Sequence, residues 1–246
     1  MDYHIIHIPV LTSTNEYMQL LLDDREYDEG LIVSTEFQQK GKGHGNNQWE
    51  SEKGSNLLFS LLLKPAFIEP SDQFVLTTCV SMALVRTLKK WIDNLPVTIK
   101  WPNDIYVGDK KISGILMQHT IRGNRIKYSI AGIGLNVNQR SFSKEIPNPV
   151  SIARITGSPV NRQQVMNDLL GEIKTNYETL PSAAQREALH AGYCNSLYRY
   201  QEWSMFNDGK TFKARITGIT AFGQLILEKD NGRKSTYGFK EVELLV

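Results

Sequence analysis

The run VTIKWPNDIYVGDKKISGILMQHTIRGNRIKYSIAGIGLNV, residues 97–137, sets the architecture. Val97 to Trp101, Ile105 to Val107, Lys111 to Ile121 and Ile126 to Val137 are strand-length stretches rich in β-branched and apolar residues. Gly108-Asp109 and Gly123-Asn124 part them as hairpin turns. Strands joined so tightly pair antiparallel. Trp101-Pro102 ends the first of them, because proline has no N–H to give a ladder, and Asn103-Asp104 suits the turn that follows.

Upstream, Ser13 and Glu16 form a capping box before the apolar face of Tyr17, Met18, Leu21 and Leu22, and Gly30 lies beyond that helix. Leu31 to Phe37 and Asn56 to Leu63 read as strands, parted by a long Gly-, Asn- and Lys-rich loop over 38–55. Ser71-Asp72 opens a helix to about Asp93 with a broad apolar face. Helices are expected from Asn161 to Leu180 and from Ser182 to Leu197. After Asp208-Gly209 come four short strands: Lys210 to Gly218, Gly223 to Glu228, Arg233 to Tyr237 and Val242 to Val246. Strands and helices do not alternate, which disfavours a doubly wound parallel sheet. The expectation is α+β, a mixed or antiparallel central sheet with helices packed on one face. Residues 1–200 form the main domain, and 201–246 a small antiparallel barrel-like one.

The 246 residues are 41% hydrophobic and 22% charged with a formal net charge of +2, the balance of an ordinary globular chain. So even a charge argues against nonspecific nucleic-acid binding as the main task. No apolar run reaches the roughly 18 residues of a membrane span. Met1-Asp2-Tyr3-His4 does not start a secretory leader, and Cys79 and Cys194 suggest neither a disulfide framework nor a metal cluster. A cytoplasmic setting fits.

Three segments carry chemistry. Gly41-Lys42-Gly43-His44-Gly45 lets backbone amides approach an anion, with Trp49 downstream as a flat stacking surface; a plain surface loop is its bland alternative. Lys100-Trp101-Pro102-Asn103-Asp104, then Lys110-Lys111-Ile112-Ser113-Gly114, reads blandly as strand end, turn and solvated charges. Yet Lys100 and Lys111 lie on neighbouring strands and can face one anion, and Asp104 can hold a divalent cation or orient an amine. Gly132 and Gly134 inside a strand mark either a bulge or the close approach of another group.

In combination these segments resemble the biotin protein ligases over nearly the whole chain. The Lys100 to Asp104 signature is complete, and Lys111-x-x-Gly114-Ile115-Leu116 and Gly132-x-Gly134-x-Asn136 follow in order. The glycine loop departs from the family, with Lys42 and His44 where arginines are usual. The resemblance implies a class II aminoacyl-tRNA synthetase-like catalytic domain and an SH3-like C-terminal barrel. It also implies the ligase-only branch, since a dozen residues before Ser13 leave no room for a winged DNA-binding domain.

The implied reaction joins biotin to MgATP as biotinyl-5′-AMP, releasing pyrophosphate, and passes the acyl group to a lysine of a biotin carboxyl carrier domain. Two unit anions about 4 Å apart repel by about 4 kcal/mol at an effective dielectric near about 20, so fixed cations are needed. Lys111, Lys42 and Asp104 are the implied catalytic residues, with Asp104 also a Mg²⁺ candidate. Ser13, Thr14, Asn15, Gln38, Lys42, Gly43, His44, Lys111 and Gly114 are the implied biotin contacts. Trp49, Lys100, Asn103, Lys111, Gly134 and Asn136 are the implied adenylate contacts. The expected partner is the carrier domain of acetyl-CoA or related carboxylases, met by a monomer or homodimer, without DNA or membrane. A lipoate-ligase-like enzyme and a non-catalytic biotin sensor are the alternatives.

Overall fold

A computed structural model describes residues 1–245 apart from His44 and Asn46. In chain order the first half holds β1 (His4–His7), β2 (Val10–Leu11), α1 (Thr14–Asp24), β3 (Leu31–Thr35), β4 (Phe37–Gln38), β5 (Leu57–Leu63) and α2 (Phe74–Trp91). The hairpins follow as β6 (Val97–Lys100), β7 (Asp104–Val107), β8 (Lys110–Arg122) and β9 (Arg125–Leu135). Then come α3 (Ile152–Thr156), α4 (Arg162–Thr179) and α5 (Ala183–Asn195). The chain closes with β10 (Ser204–Asn207), β11 (Thr211–Ile219), β12 (Leu225–Lys229), β13 (Lys234–Tyr237) and β14 (Glu243–Leu245).

The central sheet has seven strands ordered β1-β3-β5-β9-β8-β7-β6. Only β1 with β3 runs parallel; the other pairs are antiparallel. Every residue of β5 is buried, which requires cover on both faces. Leu57, Phe59, Leu61 and Leu63 pack with Leu76 and Leu84 of α2 and Leu169 of α4 in the main core. Leu62 points the other way and joins Met18 of α1, Val33 and Ile130 in a smaller one. The helix layer of α2, α4 and α5 thus covers one face, and α1 covers part of the other.

Local sequence signals were overridden at several points. Ser13 stands at the N-cap of α1 without a side-chain cap bond, and Glu16 pairs with Lys42 instead of closing a capping box. Pro70–Asp72 is a 3₁₀ turn, so α2 starts at Phe74 rather than at a Ser71-Asp72 cap. The strand expected from Leu31 to Phe37 breaks at Glu36, where the Thr35 hydroxyl bonds the Phe37 backbone. Short elements β1, β2, α3 and β10 were not expected. Val246, the last residue of the expected final strand, lies outside the described residues.

Cross-strand register builds the floor of the site. On the face that α1 only partly covers, Ser60, Gly132 and Leu116 form one row, and Leu58, Gly134, Gly114 and Asp104 the next. A bulge between β7 and β8 puts one extra residue on β8, so Lys111 and Gly114 share a face although three positions apart. The Lys111 backbone is held from outside the sheet too: its N–H donates to Asn148 O, and its O accepts from Val150 N.

The second sheet, ordered β13-β12-β11-β10-β14, docks on the first through Trp101. Trp101 Nε1 donates to Gly223 O at 2.8 Å, and its ring lies 6.2 Å from that of Phe239. Trp101→Phe removes that donor from a part-buried carbonyl and is expected to cost about 1–2 kcal/mol in urea unfolding, with the secondary structure intact by circular dichroism.

Candidate active site

A cavity of about 360 Å³ opens over the glycine rows, a size suited to a small ligand. Its walls come from the start of α1, Gln38, the 42–49 loop, the Lys100–Asp104 turn, Lys111 and the C-terminal residues Phe239, Lys240 and Glu243. A Cβ on Gly132 would overlap Asn15 Oδ1, and one on Gly134 would overlap the Trp49 indole. These glycines serve the close approach of side chains to a sheet, one of the two alternatives their sequence pattern left open.

One end of the cavity is polar and neutral. Thr14 N donates to Gln38 Oε1 at 2.8 Å. Asn15 Nδ2 donates to Gln118 Oε1 at 2.8 Å, and Ser60 Oγ donates to Asn15 Oδ1. The other end is charged, although Lys100 on β6 and Lys111 on β8 are not on neighbouring strands as expected but have β7 between them. Lys111 Nζ and Asp104 Oδ2 are 2.7 Å apart. Lys100 Nζ lies 5.3 Å from the Tyr106 ring centroid and makes no ion pair within 4 Å among the described residues. Burial is the main cause holding the Lys100 ammonium below the usual lysine range, with Asp104 pulling the other way. Lys42 pairs with Glu16, both well exposed, a contact of little energetic weight.

The glycine loop is closed on itself. Gly43 N donates to Asn47 O and Trp49 N to Gly41 O, at 2.8 and 2.9 Å. The Gly43 amide expected to face an anion is therefore spent inside a hairpin, and Gly41 accommodates the Trp49 carbonyl. The Trp49 ring lies over Gly134 with Lys111 Nζ 5.7 Å from its centroid, and its buried Nε1 has no partner among the described residues.

Of the residues expected from sequence, Ser13, Thr14, Asn15, Gln38, Lys42, Gly43, Trp49, Lys100, Asn103, Asp104, Lys111, Gly114 and Gly134 line this cavity. His44 lies outside the described residues. Asn136 is not in the lining: its Nδ2 donates to Val150 O, and its buried Oδ1 has no partner among the described residues. Asn103 spends its Nδ2 on Ile115 O, a turn-holding bond. Sequence reading missed Ser60, Gln118, Phe239, Lys240 and Glu243. Ser60 had a signal, as the one hydroxyl in the apolar run Leu57–Leu63, because a buried polar group needs a partner. Lys240 had none, since the docking of the second sheet brings it here.

The one carboxylate expected to hold a metal, Asp104, is engaged by Lys111. Among the described residues no three His, Cys, Asp or Glu side chains gather to hold an ion. That suits Mg²⁺ only in its commonest form, with phosphates and water supplying most of the shell. Among the described residues no helix is long and apolar enough to cross a membrane.

A model of the biotin/lipoate A/B protein ligase family matches residues 7–136. Over 250 residues the chain is 28% identical to the bifunctional ligase/repressor BirA of Bacillus spizizenii, covering 99% of this chain and 75% of that protein. It is 30% identical over 239 residues to biotin–protein ligase 2 of Arabidopsis thaliana, covering 92% and 70%. Its fold matches biotin protein ligase from Aquifex aeolicus, solved in complex with biotin and ATP, at TM-score 0.81 and 23% identity over 98% of both chains.

The buried cation at Lys100 gives a stability test. Its folded-state pKa is below its unfolded one, so in the window between them the unfolded chain binds the extra proton. Stability therefore rises with pH across that alkaline window. Lys100→Met is expected to lose this rise and to show no loss of stability at neutral pH, both read from urea melts across pH.

Proposed function

This chain belongs to the biotin/lipoate A/B protein ligase family, and on that premise we propose that it adenylates biotin and transfers it to a lysine of a carboxylase carrier domain. One observation carries the reading: a single cavity has a neutral hydrogen-bonding end and a lysine-rich end, the two chemistries of biotin's ring and its carboxylate. Ser13, Thr14, Asn15 and Gln38 hold the ureido ring, with Gly43 and Gly114 giving the chain room. Lys111 meets the carboxylate.

In the first step a carboxylate oxygen attacks the α-phosphorus of ATP, the bond to the β-phosphate breaks, and pyrophosphate leaves. Lys111 and Lys100 offset the charge that builds between two anions. Lys42 lends a further charge from the loop, a point charge without the paired fork of arginine. Trp49 stacks on adenine, a role that needs its indole to shift from Gly134. Asn103, Gly134 and Asn136 border the adenylate. Mg²⁺ bound with the nucleotide would neutralise phosphate charge beside Asp104. In the second step the acceptor amine attacks the acyl carbon, AMP departs, and the nitrogen loses a proton. Asp104 is placed to orient that amine once Lys111 turns to the ligand. Residues 201–246 act as a second unit that lends Phe239, Lys240 and Glu243 to the wall.

Incubating the protein with ATP, Mg²⁺, biotin and a carrier domain is expected to add one biotinyl mass to that domain by mass spectrometry. A thermal-shift panel is expected to stabilise the protein with biotin and not with lipoate; the reverse result would move the reading to a lipoate ligase. Lys111→Ala is expected to lower pyrophosphate release by about 100-fold or more with an unchanged melting temperature. Wild-type release from that variant would remove Lys111 from the chemistry.

A further inference from the structure

We propose that Ser60 is a positioning residue that sets the hydrogen-bond polarity of the ring subsite, and so its preference for a cyclic urea. The inference rests on the ligase reading above and deepens it. Ser60 is fully buried in β5 and is not part of the cavity lining. It acts through Thr14 and Asn15, which are.

Proton counting gives the argument. Thr14 N–H can only donate, so the Gln38 atom 2.8 Å from it is Oε1. The Gln38 amide nitrogen then faces the other way, toward Gly41. The Leu116 carbonyl can only accept, so the Asn15 atom 3.3 Å from it is Nδ2, whose other proton goes to Gln118 Oε1. Asn15 Oδ1 is thereby turned to Ser60. Ser60 Oγ lies 2.5 Å from Asn15 Oδ1 and 2.8 Å from Thr14 Oγ1, with one proton for both. An amide oxygen only accepts, so that proton goes to Asn15. The 2.8 Å contact is then served by the Thr14 hydroxyl proton. Its alternative acceptor, Gln38 Oε1, is farther at 3.1 Å and already bonded by Thr14 N.

The chain therefore runs from Thr14 through Ser60 to Asn15, and it has a direction. Thr14 Oγ1 keeps lone pairs for a ligand, and Gln38 keeps N–H groups. An acceptor beside a donor complements N–H beside C=O, the pattern of a cyclic urea. Gly132 is part of the device, because a Cβ there would displace the Asn15 oxygen on which the chain ends.

The probe is a cyclic carbamate analogue of biotin, with one ring N–H replaced by oxygen. In the wild type its ring oxygen meets the Thr14 lone pairs and is repelled. In Ser60→Ala or Ser60→Cys, which lack a good partner, the Thr14 hydroxyl keeps only the longer contact to Gln38 Oε1 and can turn from it to donate to the ring oxygen. Affinities for both compounds are read by calorimetry, the weaker one by displacement. Biotin is expected to bind about 10-fold more weakly in each variant, and the biotin-to-carbamate preference to fall by about 10-fold or more. At saturating biotin kcat is expected to hold, as for loss of uniform binding. Because a ratio reports only on folded protein, a destabilised variant still answers, and Ser60→Cys keeps the volume. An equal loss for both ligands, the mark of a merely structural role, overturns the proposal, as does an unchanged ratio. Wild-type protein that binds no biotin overturns the ligase reading itself, and is told apart because no variant is involved.

Discussion

The middle of a sheet is normally filled on both faces, and here one face is left bare at Gly114, Gly132 and Gly134. That gap in side-chain cover lets the start of α1 and the Trp49 ring settle on backbone, and it leaves ligand-sized space between them. Central strands are the stiffest support a small protein has, because each backbone group is already bonded to a neighbour. Whatever binds on this floor is held against groups that do not relax. Register supplies the rest: the rows through Ser60 and Asp104 cross adjacent strands, so groups distant in the chain face one opening.

Charge follows from the same geometry. Without the extra residue in β8, Lys111 would point into the helix-covered core, where Ile112 now sits. The bulge turns it to the open face and toward Asp104, which holds the ammonium in place. Lys100 has no such ion-pair partner among the described residues. A half-buried cation without a counter-ion is a liability in the free protein and an asset against an anionic ligand, which is how functional sites trade stability for binding.

The hairpins from Val97 to Leu135 were legible because alternation and Gly-Asp and Gly-Asn turns act locally, and α2 because its apolar face is wide. The two-residue strands β2 and β4 and the parallel edge strand β1 depend on partners far along the chain, and nothing local announces them. The capping box at Ser13 and the cap at Ser71-Asp72 failed for a related reason: Glu16 turns to Lys42, and Pro70 set a 3₁₀ turn first. In the site, the Lys100–Asp104 signature and the strand glycines located the floor and the cations. They did not reveal that the glycine loop bonds to itself, since its composition suits an open cradle and a closed hairpin equally. Lys240 reaches the cavity only through the docking of Trp101 on Gly223.

The self-bonded loop has a mechanical meaning. Gly41 accepts the Trp49 N–H and also borders the Gln38 amide, so one short rung of backbone joins the neutral end of the cavity to the aromatic end. Lifting the indole strains the rung that locates the glutamine, and seating a ring on the glutamine stiffens the rung beneath the indole. Under the proposed reading, guests at opposite ends would share that rung, and by thermodynamic reciprocity any effect of one on the other's grip would be returned by the same factor.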